Sequence, residues 1–244
     1  MAFNFRNSNV VLNKALKADE YLEEDRATYS GVARKTLFFL LMTLVGAGVG
    51  ILTMLFAPSA WLALVIAAGI STFVLGLISF FAVNACKVTG TLYCLLEGVL
   101  VGSVSYVVST ILEGAVTAAV LSTIAVFLVV AALFTSNIVK VNSGFIRFLI
   151  IFSISFIVGQ ILFLLANLIF KVEVNYGLEL LLSGITIFLA TLYLFFDLEH
   201  IRQVVEGGRE KKYEWYVAFG LAYTVVWLYF EILRIILIFY GNKN

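Results

Sequence analysis

Four carboxylic acids, Glu97, Glu113, Asp197 and Glu231, stand inside or beside long apolar runs of this 244-residue chain. Asp197 lies in Phe195-Phe196-Asp197-Leu198-Glu199-His200, and Glu231 in Leu228-Tyr229-Phe230-Glu231-Ile232-Leu233-Arg234. An ionisable group in hydrocarbon is costly and marks a place where a proton moves, an ion passes or a pathway closes. Two carboxyls held together cannot both ionise cheaply, so such a pair shares a proton and titrates as a unit. The same oxygens can ligate a hard cation, but one or two carboxylates give calcium only a weak site. Weak binding suits an ion that must also leave.

Other chemistries are poorly served. The single histidine, His200, rules out a metal site that needs two imidazoles, and it reads as a solvated residue at a helix end. Cys86 and Cys94 lack zinc or redox spacing and read as small apolar residues near a helix start. There is no HExxH and no GxSxG. The only other aspartates are Asp19 and Asp25 in the N-terminal tail, which excludes a membrane aspartyl protease. Gly46-x-Gly48-x-Gly50 lacks the spacing of a nucleotide loop. The expectation is a non-enzyme with no cofactor and no tightly bound metal. A net charge of +1 offers no basic face for nucleic acid.

The elements that hold these acids follow from composition. The chain is 62% hydrophobic and 13% charged, with a mean hydropathy of +1.06, against about 25% charge in soluble domains. This predicts an all-α polytopic membrane protein whose surroundings are a lipid bilayer. Residues 1–35 read as a cytoplasmic polar tail, with an acidic cluster at Asp19, Glu20, Glu23, Glu24 and Asp25 and a short amphipathic helix around Val10 to Leu22. No early apolar stretch resembles a cleaved signal. Seven apolar segments follow, at roughly 36–56, 60–82, 91–112, 115–135, 145–170, 178–200 and 215–240, each near the ~20 residues that cross a bilayer. Together 36–240 form the transmembrane domain, and 241–244 a short C-terminal tail. Pro58, the only proline, suits the tip of the first hairpin.

Of 16 Lys and Arg residues, 13 fall in the tail and the second, fourth and sixth connections. That bias puts the N-terminus in the cytoplasm. Gly46 with Gly50, and Gly98 with Gly102, Ser105 and Ser109, are small-residue stripes for close helix contact; a pore-lining face is the sharper alternative. In this frame Glu97 and Asp197 fall at similar depth near the cytoplasmic side, a plausible facing pair. Glu231 falls in the outer half with Arg234 three residues on, either a local ion pair or a gate and its latch. Glu113 falls at a segment boundary, where water reaches it. The candidate pH-sensing and pore residues are therefore Asp197, Glu231, Glu97 and Arg234, with Asp197 and Glu231 as weak ion ligands.

Five ordered motifs carry a resemblance. They are Thr28-Tyr29-Ser30-Gly31-Val32 with Lys35-Thr36, Leu96-Glu97-Gly98, Phe196-Asp197, Tyr213-Glu214-Trp215-Tyr216, and the run from Leu228 to Arg234. Over almost its whole length the chain resembles the Bax-inhibitor-1/YccA family, specifically a bacterial branch. The resemblance implies six helices around a central seventh, a bacterial inner membrane, and a pH-sensitive calcium leak. It also implies a proton-sensing aspartate pair on the sixth and seventh helices. Asp197 matches the first partner. Glu231 matches the second through its Leu-Tyr-x-acid-Ile pattern, with glutamate in place of aspartate. Registering on Trp215 instead puts the second partner near Tyr223 or Thr224, neither an acid. A hairpin tip near Gly208 leaves Asp197 and Glu231 about 18 Å out of step along straight helices, which keeps Glu97 in play. The alternative reading is a regulatory or scaffold protein that contacts a membrane protease or other membrane protein through the acidic cluster and Tyr213–Tyr216. A proton-coupled transporter has only Gln160 and Asn167 to suggest it.

Overall fold

The computed structural model describes residues 26–170 and 176–241. Seven helices account for nearly all of them: α1 Tyr29–Phe56, α2 Pro58–Phe81, α3 Cys86–Ile111, α4 Ala115–Thr135, α5 Ser143–Phe170, α6 Tyr176–Glu206 and α7 Lys212–Gly241. All seven are long and apolar enough to span a membrane. Backbone polar groups in hydrocarbon must bond within their own segment, so a chain of this composition folds as helices. The acidic cluster and the amphipathic segment around Val10 to Leu22 lie outside the described residues.

Several helices extend beyond the apolar runs. Helix α1 begins at Tyr29, where Thr28 is the cap: its extended backbone (φ −130°, ψ 150°) lets the side chain accept from Gly31 N at 3.0 Å. Its first turn therefore belongs to the helix and not to a polar tail. Pro58 occupies the first turn of α2, where its missing donor costs nothing. Helix α6 continues to Glu206, so His200 is not at a helix end. It is half-buried, with its ring between those of Phe196 and Tyr216.

Helix α7 packs against α1, α2, α3, α4 and α6. Helix α5 instead packs chiefly on α6 and stands apart from the rest. The aromatic core explains the central position of α7. Phe219 is fully buried and meets the rings of Phe39, Phe80 and Tyr93 at 5.3–5.8 Å, edge-to-face geometries that add to plain burial.

The small-residue stripes are helix contacts, not a pore wall. Gly46 and Gly98 oppose each other across α1 and α3. A Cβ at Gly46 would strike the Leu95 carbonyl, one at Gly98 the Thr43 carbonyl, and one at Gly102 the Ala47 backbone. Ser105, on the same face of α3, bonds Tyr229 of α7 at 2.6 Å.

At the end of the bundle where α1 begins, a buried ion pair closes α1 onto α7. The Glu214 carboxylate is fully buried. It accepts from Thr28 N at 2.7 Å, from Thr28 Oγ1 at 3.1 Å and from the Lys35 ammonium. The missing side chain of Gly31 makes room, since a Cβ there would fall on that carboxyl. Ala27 N bonds the Arg209 carbonyl at 2.8 Å, so the chain entering α1 is tied to the α6–α7 connection as well. Lys35 and Lys87 both lie over the Trp215 ring, at 5.1 and 5.4 Å.

Three outcomes check this packing. Gly98→Ala forces α1 and α3 apart and should cost about 1–3 kcal/mol, lowering the melting temperature by several degrees. Gly48→Ala, where a Cβ meets nothing within 4 Å, should be neutral or slightly stabilising. Glu214→Gln leaves the Lys35 ammonium without its counter-charge. Because Lys35 keeps 15% exposure, the loss should be roughly 2 kcal/mol, below that of a fully buried pair. Thermal melts in detergent read all three, and an unchanged Glu214→Gln melt would show that the pair does not hold the helices.

Candidate functional site

The site is built on the central α6–α7 pair. Asp197 is buried, with 9% exposure, in the middle of α6. Its Oδ2 accepts from Thr224 Oγ1 at 2.6 Å across the helix pair, and the Gly220 carbonyl, 3.2 Å from the same hydroxyl, is the alternative acceptor for its one proton. Gly220, one turn before Thr224, exposes the other oxygen: a Cβ there would sit 3.5 Å from Asp197 Oδ1. Beside the carboxyl lies a cavity of about 620 Å³. Its walls are Phe80 of α2, Ser153 and Gln160 of α5, Tyr193 and Phe196 of α6, and Tyr223 and Trp227 of α7. No Lys or Arg lines it.

The other candidate acids lie elsewhere. Glu231 belongs to a separate cluster: Thr186 Oγ1 donates to its Oε2 at 2.9 Å and Trp227 Nε1 to its Oε1 at 3.3 Å. Thr186 precedes Asp197 by three turns of α6, about 16 Å, so the offset expected from the hairpin is real and no break in a helix removes it. Arg234 pairs with Glu231 at 3.9 Å from a half-exposed position, the local i,i+3 ion pair. Glu97 lies against Tyr93, one turn earlier on α3, and near Tyr223. Tyr223 is near Glu97 and also lines the cavity, and among the described residues neither Glu97 nor Glu231 bonds Asp197.

The register on Trp215 is the one the structure adopts, and Thr224 faces Asp197. A search of the sequence for acids misses a threonine. The available signal was the register on Trp215, which put Tyr223 or Thr224 in the partner position; the hairpin arithmetic said only that Glu231 was out of step. A second cluster that sequence reasoning missed is the Glu214 pair. There Thr28-Tyr29-Ser30-Gly31-Val32, Lys35 and Tyr213-Glu214-Trp215-Tyr216 come together as one unit. Glu214 is buried, whereas Tyr213, Trp215 and Tyr216 are half-buried, with two lysines over the Trp215 ring and the Tyr216 hydroxyl donating to the Phe80 carbonyl at 3.2 Å. Of the two polar residues on α5, Gln160 lines the cavity and Asn167 does not.

The arrangement can hold or release a proton at Asp197 and can present one carboxylate oxygen to whatever enters the cavity. It does not build a cage for a metal: among the described residues no three His, Cys, Asp or Glu side chains converge.

A comparison with curated proteins finds no match. The family model described as Bax inhibitor 1 like matches residues 7–241. That match takes in all seven helices and both clusters just described, and the chain belongs to the Bax inhibitor 1 like family.

Proposed function

We propose that this membrane protein is a proton-responsive cation leak, with Asp197 as its sensor and calcium as the permeant ion. One observation carries the reading: a buried carboxyl bonded to a single hydroxyl, at the wall of a cavity within the central helix pair. A neutral carboxyl is at ease in that setting. An ionised one has a single donor, no facing Lys or Arg, and an apolar surround, which is the costly case for a buried charge.

The elements at the cavity contribute unequally to that balance. Tyr193 from α6 and Tyr223 from α7 bring phenols; Ser153 and Gln160 from α5 bring neutral dipoles; Phe80 from α2 brings none. Glu97 of α3 lies near Tyr223, and Glu199, two residues beyond Asp197 on α6, is buried and paired with Arg202. His200, one turn beyond Asp197, is occupied by the Phe196 and Tyr216 rings. On loss of the proton the carboxylate favours hydration of the cavity and displacement of its least anchored wall, α5. Calcium then passes with only transient help from one carboxylate and nearby hydroxyls, in keeping with a weak site. Calcium as the ion rests on the family resemblance.

With Thr224 in the partner position the sensor has one carboxyl, so its titration should follow a single-proton curve and not the two steps of a coupled pair. In proteoliposomes loaded with a calcium dye, flux should rise with pH. Asp197→Asn should flatten that dependence and hold flux at the low-pH level. Glu231→Gln, remote from the cavity carboxyl, should keep the pH profile of the parent. A wild-type flux that does not vary with pH, or an Asp197→Asn profile equal to wild type, would remove Asp197 from the role.

A further inference from the structure

We propose that the cavity beside Asp197 is a binding site for a lipophilic organic cation, a quaternary or protonated amine bearing an apolar group, which enters sideways from the bilayer.

Three observations meet here. The first is a charge without a partner. Asp197 is nine-tenths buried, Oδ2 takes the Thr224 hydroxyl, and Oδ1 has no hydrogen-bond partner among the described residues. Gly220 leaves the space in front of Oδ1 open, and no basic side chain lines the cavity. A carboxylate so placed gains most from an occupant that brings its own positive charge.

The second is the chemistry of the wall. Phe80, Tyr193, Tyr223 and Trp227 present aromatic rings around that carboxyl. Ring faces attract poorly hydrated organic cations, and the attraction grows where water is excluded. They are no substitute for the six to eight oxygens that a resting calcium ion takes. A plain acyl chain would use the apolar surface but leave the carboxylate uncompensated.

The third is the entrance. Ile157, Ile161 and Leu164 of α5 line the cavity and are also more than half exposed on the lipid-facing side. Helix α5 packs chiefly on α6, so the wall they form has an open edge towards the bilayer. A ligand partitioned into the membrane reaches the site without crossing the bundle, and about 620 Å³ is within the range of small-molecule pockets.

The proposal requires the carboxylate to face the cavity but does not require an ion path. Failure of the flux assay leaves it standing, and its failure leaves the flux reading standing. The test uses the full chain in nanodiscs of zwitterionic lipid at pH 8, titrated with benzyltrimethylammonium and with its uncharged carbon isostere neopentylbenzene. Binding is read from tryptophan emission, with Trp227→Phe identifying the reporter. The cation should bind saturably and at least tenfold more tightly than the isostere, and Asp197→Asn should abolish that preference. Gly220→Ala, which keeps the carboxylate but sets a methyl before Oδ1 at ordinary contact distance, should weaken the cation severalfold without changing the melt. Equal binding of the two probes, tighter binding of the isostere, or a preference that survives Asp197→Asn would overturn the proposal. If Asp197→Asn does not fold, an unchanged affinity in Gly220→Ala would overturn it alone.

Discussion

The hydroxyl-to-carboxylate bond from Thr224 to Asp197, 2.6 Å long, fixes the register of the two central helices beside the cavity, one of two such bonds between them among the described residues. Around it the packing is aromatic and aliphatic, with Phe219, Leu194 and Leu228 fully buried nearby in the same core. Apolar contact is non-directional, and in lipid it provides little drive to bring helices together. Direction comes from the few polar bonds and from sites where backbones must touch. Thr224 to Asp197 sets the middle of the pair, Thr186 to Glu231 sets one end, and the Glu214 cluster sets the other. The three are spaced along α7 so that sliding it by one turn would break all of them together.

These polar points differ in what they tolerate. Glu214 has two donors from Thr28 and the Lys35 ammonium, so its charge is answered from within the protein. Glu231 has a threonine, an indole and a nearby arginine. Asp197 has one hydroxyl. The gradient is one of increasing dependence on something outside the fixed structure: a proton, water or a bound cation. Asp197 is therefore the acid most sensitive to its occupants, although Glu214 is the more deeply buried one.

The sequence made the seven spans legible because apolar runs of the required length leave no other fold. It made Asp197 legible because an acid in such a run stands out. What it concealed was pairing across helices. Glu231 looked like the partner because its flanking pattern fits, yet residue order along one helix says nothing about which turn of the next helix lies opposite. Counting outward from the α6–α7 turn showed that Glu231 was out of step, and registering on Trp215 led to Tyr223 or Thr224. Glu97, read as a facing partner of Asp197 from depth alone, lies instead with Tyr93 and Tyr223 and makes no bond to Asp197 among the described residues. The Glu214 cluster escaped notice for a different reason: its members sit in polar stretches, where an acid looks solvated. Only the fold shows that Thr28 and Gly31 open α1 directly over it.

Helix α5 is where the departure from a symmetrical ring matters. Six helices spread evenly around a seventh would seal Asp197 on every side, and a sealed carboxyl could change its charge only by local unfolding. Here α5 leans on α6 and leaves one edge of the cavity to the bilayer, so the buried acid has an approach that the remaining helices deny it. The tight α1–α3 contact, with glycine set against carbonyl, makes that side of the bundle the rigid one. Any displacement that accompanies a change of charge at Asp197 is thereby directed to the α5 side, where few contacts are lost and the exposed surface is lipid, to which apolar side chains are indifferent. A stiff half that holds α7 in register and a loose half that yields is the division of labour that a single buried carboxyl requires if its proton is to have a mechanical consequence.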